Sequence, residues 1–263
     1  MTMLITLTTD FGLDDPFVAM MKGVILGRSP QSRLVDICHT ILPQDVEAAS
    51  LVLEMAAPSF PVATIHVAVV DPGVGTSRRI ICLAAIDQLF LAPDNGLLTP
   101  FFSESGRAFQ LSNEELFLQP VSATFHGRDI FAPVAAALAR GLDPKELGPA
   151  VPVSGLVRLH LPTPIREKGQ LRGQCLRADH FGNMATNISK KELASFLGPD
   201  QIPVIRLAGT TIIGLSPSYG KKQAGALALL NSSDHLEISV SHGNSSRELA
   251  LCPGTPVIVT KKG

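Results

Sequence analysis

Chemistry in this chain first suggests itself where an apolar run delivers an aspartate. Residues 64–70 (TIHVAVV) lead into Asp71, a Pro-Gly-Val-Gly segment reverses the chain, and Arg78 and Arg79 open the next apolar run at 80–86. Strand ends are where open α/β sheets place ligands, and glycines let backbone approach a ligand closely. The same pattern also suits a β-hairpin carrying a surface Asp–Arg pair, so this stretch alone leaves both readings open. Four more polar clusters carry acids, amides or imidazole: Asp10 with Asp14 and Asp15; Thr124-Phe125-His126-Gly127-Arg128-Asp129; the 179–187 segment DHFGNMATN; and Asn231-Ser232-Ser233-Asp234 with Glu237. Each has a structural alternative. Acids complement a helix dipole, a histidine at a helix start caps or packs, and acid–amide clusters build surface turns, as the Pro93-Asp94-Asn95-Gly96 tetrapeptide does by composition. A metal-assisted hydrolase built on Asp10, Asp14, Asp15, Asp71 and His126 is a further option, but no H-x-x-x-H or H-x-H spacing supports a metal site.

The elements that must position these groups are legible from periodicity. Strands are expected at 4–9, 33–37, 64–70, 80–86 and 88–92, and helices at 14–28, 45–57 and 130–140. The first helix is given an acidic N-cap with Pro16 in its first turn, and Pro133 falls in the first turn of the third. Strands alternating with helices predict an N-terminal α/β layer domain with a largely parallel sheet over residues 1–148. Prolines 149, 152, 162 and 164 mark a linker, placed at 149–168. Short strands follow at 171–177, 204–207, 211–213, 226–230, 236–240 and 257–260, with one helix at 190–196, and predict a smaller C-terminal β-barrel-like domain over 169–263.

Composition narrows the function classes. A net charge of −1 over 263 residues leaves no electrostatic footprint for nucleic acid or an anionic membrane. With no Trp and one Tyr, stacking platforms for single strands are scarce. No apolar run is long enough to span a bilayer, and the first nine residues lack the basic region of a signal peptide. Cys38, Cys82, Cys175 and Cys252 never form a C-x-x-C pair and read as reduced, buried thiols of a cytoplasmic protein.

Seven ordered motifs together resemble one family across nearly the whole chain: TTDFG (8–12), CHTILPQDVEAA (38–49), VDPGVGTSRR (70–79), APDNGLL (92–98), TFHGRDIFAP (124–133), DHFGNMATN (179–187) and NSSDHLEISV (231–240). They are similar to the adenosine-forming S-adenosyl-L-methionine (SAM) hydrolases, also called SAM hydroxide adenosyltransferases, whose relatives are the fluorinases and chlorinases. The resemblance implies an α/β domain followed by a barrel-like domain, and homotrimers with SAM bound between subunits. It also implies attack of water or hydroxide on ribose C5′ to give adenosine and L-methionine, with no metal and no cofactor beyond SAM as substrate. Asp71, Arg78 and His126 match an Asp-Arg-His set that handles the water, with His126 expected to accept a hydrogen bond or a proton from it. Asp10 matches the acid on the ribose diol, Asp15 and Asp179 lie near the methionine amino group, Phe181 and Tyr219 flank adenine or ribose, and Asn183 reads adenine edges. Ser232, Ser233 and Glu237 match methionine- or nucleoside-contacting positions, although fluorinase has arginine at Ser233, and Asn95 supports either the ribose pocket or its own turn. The halogenases carry tyrosine at Asp71 and at His126. Fluorinase has serine at Gly127 and tryptophan at Gln44, while chlorinase shares the glycine. A chlorinase-like halogenase and a non-catalytic SAM or adenosine sensor are the alternatives to hydrolysis.

Overall fold

A computed structural model describes residues 3–221 and 225–262, which fall into two compact units, Met1–His160 and Leu161–Gly263. The first unit holds β1 (Leu4–Thr9), α1 (Phe17–Arg28), β2 (Arg33–Cys38), α2 (Val46–Ala56), β3 (Ile65–Val69), β4 (Ile80–Ala85), β5 (Gln88–Pro93), β6 (Arg107–Gln110), α3 (Ala132–Ala139) and β7 (Ala150–Val151). Its seven strands form one sheet in the order β2-β1-β3-β5-β4-β6-β7. The pairs from β2 through β5 are parallel and the rest antiparallel. Strands buried on both faces read as continuous apolar runs. Along β3 and just beyond it, Ile65, Val67 and Val69 enter the core shared with Met21, Ile25 and Phe131, whereas Ala68 and Val70 enter the opposite core with Leu53 and Phe90. That alternation places α1 and α3 on one face and α2 on the other.

Of the two readings left open for the stretch around Asp71, the hairpin is excluded, because β5 inserts between β3 and β4 and pairs with both. Two local expectations are corrected. No acidic side chain caps α1; Pro16 occupies the N-cap position without a side-chain hydrogen bond, as its fixed φ allows. The third helix begins before residue 130, with a π-helical turn over Gly127–Phe131 running into α3. Pro133 accounts for the wide turn, since it has no N–H to offer the Asp129 carbonyl four residues back, and Leu118 N donates to that carbonyl instead, at 2.8 Å. Asp45 accepts from Ala48 N at the start of α2.

The second unit holds β8 (Ile165–Glu167), β9 (Gln170–Ala178), β10 (Met184–Ser189), α4 (Lys190–Leu197), β11 (Pro203–Leu207), β12 (Thr210–Ile213), β13 (Ala226–Leu230), β14 (His235–Val240), α5 (Ser245–Glu248) and β15 (Pro256–Lys261). The order β12-β11-β15-β9-β10-β14-β13, with β8 on β9, is antiparallel throughout. Ser216 N donates to Ala228 O at 2.7 Å and draws the two ends together, so the sheet is nearly a closed barrel. β10 is absent from the sequence expectation because its polar residues mask it. Thr186 and Asn187 are buried but satisfied, by Leu236 O and by Pro162 O and Gln174 N respectively. Of the four cysteines, all unpaired, only Cys82 and Cys175 are buried; Cys38 is half-buried and Cys252 exposed.

One buried histidine gives the first unit a pH dependence. His66 on β3 is fully buried, with Nδ1 2.7 Å from Thr6 Oγ1 and Nε2 3.2 Å from Gln88 Oε1, and its ring stacks on Phe90. Gln88 aims its amide nitrogen at Ala57 O, Phe60 O and Pro61 O, so Oε1 faces the ring and His66 Nε2 carries the hydrogen. Burial lowers its pKa from 6.5 to about 4. Between those values the unfolded chain binds the extra proton, so stability falls as pH falls through 6.5 towards 4, by about 3 kcal/mol for this group. In urea unfolding at pH 7 and pH 4.5, His66→Gln should lose clearly less stability than the parent; equal losses would remove His66 as the cause.

Candidate active site

The carboxyl ends of β1 and β3 open into a cleft of about 400 Å³, within the range of small-molecule sites. Asp10, Gln44, Asp71, Thr124 and His126 supply its polar lining, and Phe11, Phe17 and Phe125 an apolar wall. The three rings meet edge to face with centroids 5.3–6.0 Å apart.

At the floor, Arg78 grips Asp71 with a two-pronged contact, Nε to Oδ1 at 2.7 Å and Nη2 to Oδ2, while Gly73 N adds a third bond to Oδ1. Both side chains are largely buried, at 4% and 11% exposure, so this is not a surface pair. The same Nη2 donates to His126 Nδ1 at 2.8 Å. Arginine has no acceptor, so Nδ1 bears no hydrogen and the neutral ring carries its proton on Nε2. The expectation that His126 accepts from the water is therefore corrected: its one free ring atom is a donor. Burial holds the pKa of His126 below 6.5, the Arg78 charge adds to that, and Asp71 and Asp129 oppose it.

Close backbone approach fixes these loops. Gly75 has φ +76°, and a Cβ there would lie 2.4 Å from Ala123 O, so the turn after Asp71 packs directly on the loop that carries His126. At Gly127 a Cβ would meet Met21 Sδ at 3.1 Å and the Phe11 ring at 3.2 Å. Asp10 accepts from Gln44 N at 2.8 Å, and Gln44 holds φ +70°, an uncommon conformation for a residue with a side chain. Asn95 does not line the cleft; its amide holds Val70 O, just before Asp71, at 2.8 Å and its carbonyl oxygen accepts from Leu97 N. Asp15 is exposed ahead of α1 and also lies off the cleft lining.

The remaining expected residues gather in the second unit. Asp179 accepts from both the backbone and the side-chain nitrogen of Asn183, at 2.8 and 2.9 Å, which folds the 179–183 loop and leaves Phe181 72% exposed at its tip. Glu237 is buried and accepts from Tyr219 Oη at 2.8 Å, Asn231 Nδ2 at 3.2 Å and Ser239 Oγ at 3.2 Å. Burial and Glu237 push the Tyr219 hydroxyl up to about 12, with a smaller push from the Asp179 charge. Asn231 Oδ1 accepts from Ser233 N, and Ser232 is exposed on the β13–β14 turn. Among the described residues, no group of three or more His, Cys, Asp or Glu is placed to hold a metal ion.

The family model of the SAM hydroxide adenosyltransferase N-terminal domain matches residues 5–148, and that of the C-terminal domain residues 173–258. The chain belongs to the SAM hydroxide adenosyltransferase family. It is 40% identical to a Salinispora tropica protein named (R)-S-adenosyl-L-methionine hydrolase, over 97% of each chain. A Thermus thermophilus protein of the same name is 39% identical, over 95% of this chain and 96% of that one. An uncharacterised conserved protein from Thermotoga maritima has the same fold at TM-score 0.90 and 34% identity, over 98% of this chain and all of the other.

Four groups in or beside the cleft carry no functional role in the sequence reading. Phe17 and Phe125 appeared only as apolar positions. Gln44 is marked in the sequence only by standing where fluorinase has tryptophan, and here its backbone N–H, not its side chain, holds Asp10. Asp129 follows His126 by three residues, and that adjacency was the only available cue. For His126, ¹⁵N-resolved NMR should find Nε2 protonated, Nδ1 bare and a titration midpoint below 6.5. A hydrogen on Nδ1 of the neutral ring would contradict the Arg78 contact.

Proposed function

We propose that this chain hydrolyses S-adenosyl-L-methionine to adenosine and L-methionine. The observation that carries the reading is the Asp71–Arg78–His126 arrangement at a cleft, in a chain whose 39–40% identical relatives are named for this activity. In the proposed step a water oxygen forms a bond to ribose C5′ while the C5′–S bond breaks. The bonding pair leaves on sulfur, and the sulfonium becomes the neutral thioether of methionine. A sulfonium departs without acid assistance, so the protein's task is to place the water in line and accept its proton. A carboxylate offers about four acceptor sites. Arg78 and Gly73 occupy both on Asp71 Oδ1 and one on Oδ2, so the remaining Oδ2 site accepts from the water. His126 Nε2–H donates to the same oxygen and orients it. Asp10 takes the ribose diol, Asp179 and Asp15 the ammonium, Phe181 and Tyr219 the flat faces of the nucleoside, and Asn183 the adenine edge. Ser232, Ser233 and Glu237 complete the methionine end, and Asn95 keeps the strand end before Asp71 in place.

Hydrolysis is favoured over halogenation because Asp71 brings a carboxylate to the nucleophile site, and a carboxylate repels chloride. We further propose a homotrimer with sites shared between subunits, on the exposed apolar residues Leu13 and Leu42 flanking the segments that carry Asp10 and Gln44, and Phe181 in the second unit. A cytoplasmic location accords with four unpaired cysteines, and no described helix is long and apolar enough to cross a membrane. Neither metal nor cofactor is required by the step.

Incubation with SAM in chloride-free buffer containing a chelator should give adenosine and methionine in equal amounts. Asp71→Asn should lower kcat by roughly 10²–10⁴-fold, the scale of a positioned base. Added chloride yielding a chlorinated nucleoside would shift the reading to halogenase, and tight binding without product would shift it to a sensor. Light scattering should return a particle of three 27.9 kDa chains.

A further inference from the structure

His126 sits between a loop and a helix, and a buried carboxylate ties the two together. Asp129 is fully buried, yet no part of it lines the cleft. Its carboxylate accepts from Arg128 Nε at 2.6 Å and Nη2 at 3.0 Å on one side, and from Ser122 N at 2.8 Å on the other. Its backbone is equally committed. Asp129 N and Arg128 N both donate to Phe125 O at 3.2 Å, and Asp129 O accepts from Leu118 N at 2.8 Å. Arg128 in turn lies over the Phe125 ring, 5.2 Å from its centroid. The Ser122 N bond, the Phe125 O bonds and the Arg128–Phe125 stacking bracket residues 123–126, and the Leu118 N bond ties the turn to the chain before them. A buried charge is costly to retain and adds little net stability over apolar packing, so its presence here calls for a role that an apolar residue would not fill.

We propose that Asp129 is a positioning residue for the reaction, clamping the 122–125 loop to the π turn so that His126 holds its place over the cleft. This rests on the proposed role of His126. Asp129 also acts through its charge: with Asp71 it opposes the lowering of the His126 pKa by burial and by Arg78. The charged groups around the imidazole are Arg78 and Asp71 from the β3–β4 connection, Asp129 with its partner Arg128 from the π turn, and Asp10 across the cleft after β1. Removing the Asp129 charge therefore shifts the His126 midpoint downward, while a lower kcat at unchanged KM reads the clamp itself.

The test is Asp129→Asn, which preserves shape and removes charge. The expected result is a kcat lower by roughly 10-fold or more, towards the ~10²-fold that ångström-scale misplacement costs. KM for SAM should stay within about twofold, because uniform binding is untouched. The His126 midpoint read by NMR should move to lower pH. An unchanged kcat, whatever happens to the midpoint or the melting temperature, would overturn the assignment. If Asp129→Asn fails to fold, Arg128→Gln removes the two guanidinium bonds while leaving the buried carboxylate on Ser122 N, and its kcat should fall in the same direction; a kcat equal to the parent's would overturn the assignment. A parent protein that forms no adenosine from SAM would instead refute the hydrolase reading, and the NMR shift would still report on the Asp129 charge.

Discussion

The guanidinium of Arg78 is the point on which the site turns. One planar fork satisfies both oxygens of Asp71 and, through the same nitrogen, the Nδ1 of a histidine 48 residues away in the chain. Its charge offsets that of a carboxylate that would otherwise be buried alone, and its lack of any acceptor dictates which nitrogen of His126 keeps the hydrogen. Lysine would not substitute, because a single ammonium does not reproduce the fork. Acceptor on Asp71 and donor on His126 follow from that one side chain, and together they suit a nucleophile that has both hydrogens and lone pairs. Chloride has only the latter.

The sheet supplies the rigidity that this arrangement needs. Asp71 leaves a strand with buried neighbours on both sides and on both faces, and Asp10 leaves the parallel strand beside it. Two carboxylates thus emerge at one end of the sheet, on buried neighbouring strands, while Gly75 lets its turn sit on the Ala123 backbone and Gly127 leaves room for the Met21 and Phe11 side chains. Aromatic rings close the apolar side. A low-dielectric wall strengthens the electrostatics of the groups that face it.

Much of this was legible in the sequence, and the residues explain why. The runs of β1, β3, β4 and β5 are rich in apolar and β-branched residues, with Thr6, His66 and Gln88 among the buried polar exceptions, and Asp45 announces α2 through its cap. The Ser189-Glu192 capping box does the same for α4, although it was not needed to find the helix. What escaped were features decided by distant partners. Thr186 and Asn187 look like a turn until Leu236 and Pro162 are brought to them. The π turn needs Leu118 to take up the carbonyl that Pro133 leaves. The partnership of Arg78 with His126 has no local signature at all, and entered only because ordered motifs resemble a family. Residue types at strand ends pointed to the right neighbourhood, while the protonation pattern there required coordinates.

Placing β5 between β3 and β4 has a consequence for how the site comes apart. Asp71 and Arg78 are near neighbours in sequence, but the strands that aim them share no backbone hydrogen bonds and depend on β5 as a common partner. Had they formed a hairpin, the pair would survive any opening that spared its own turn. As built, the pair depends on β5, a buried strand inside the sheet that opens only with the core, so the cleft and the domain are lost together.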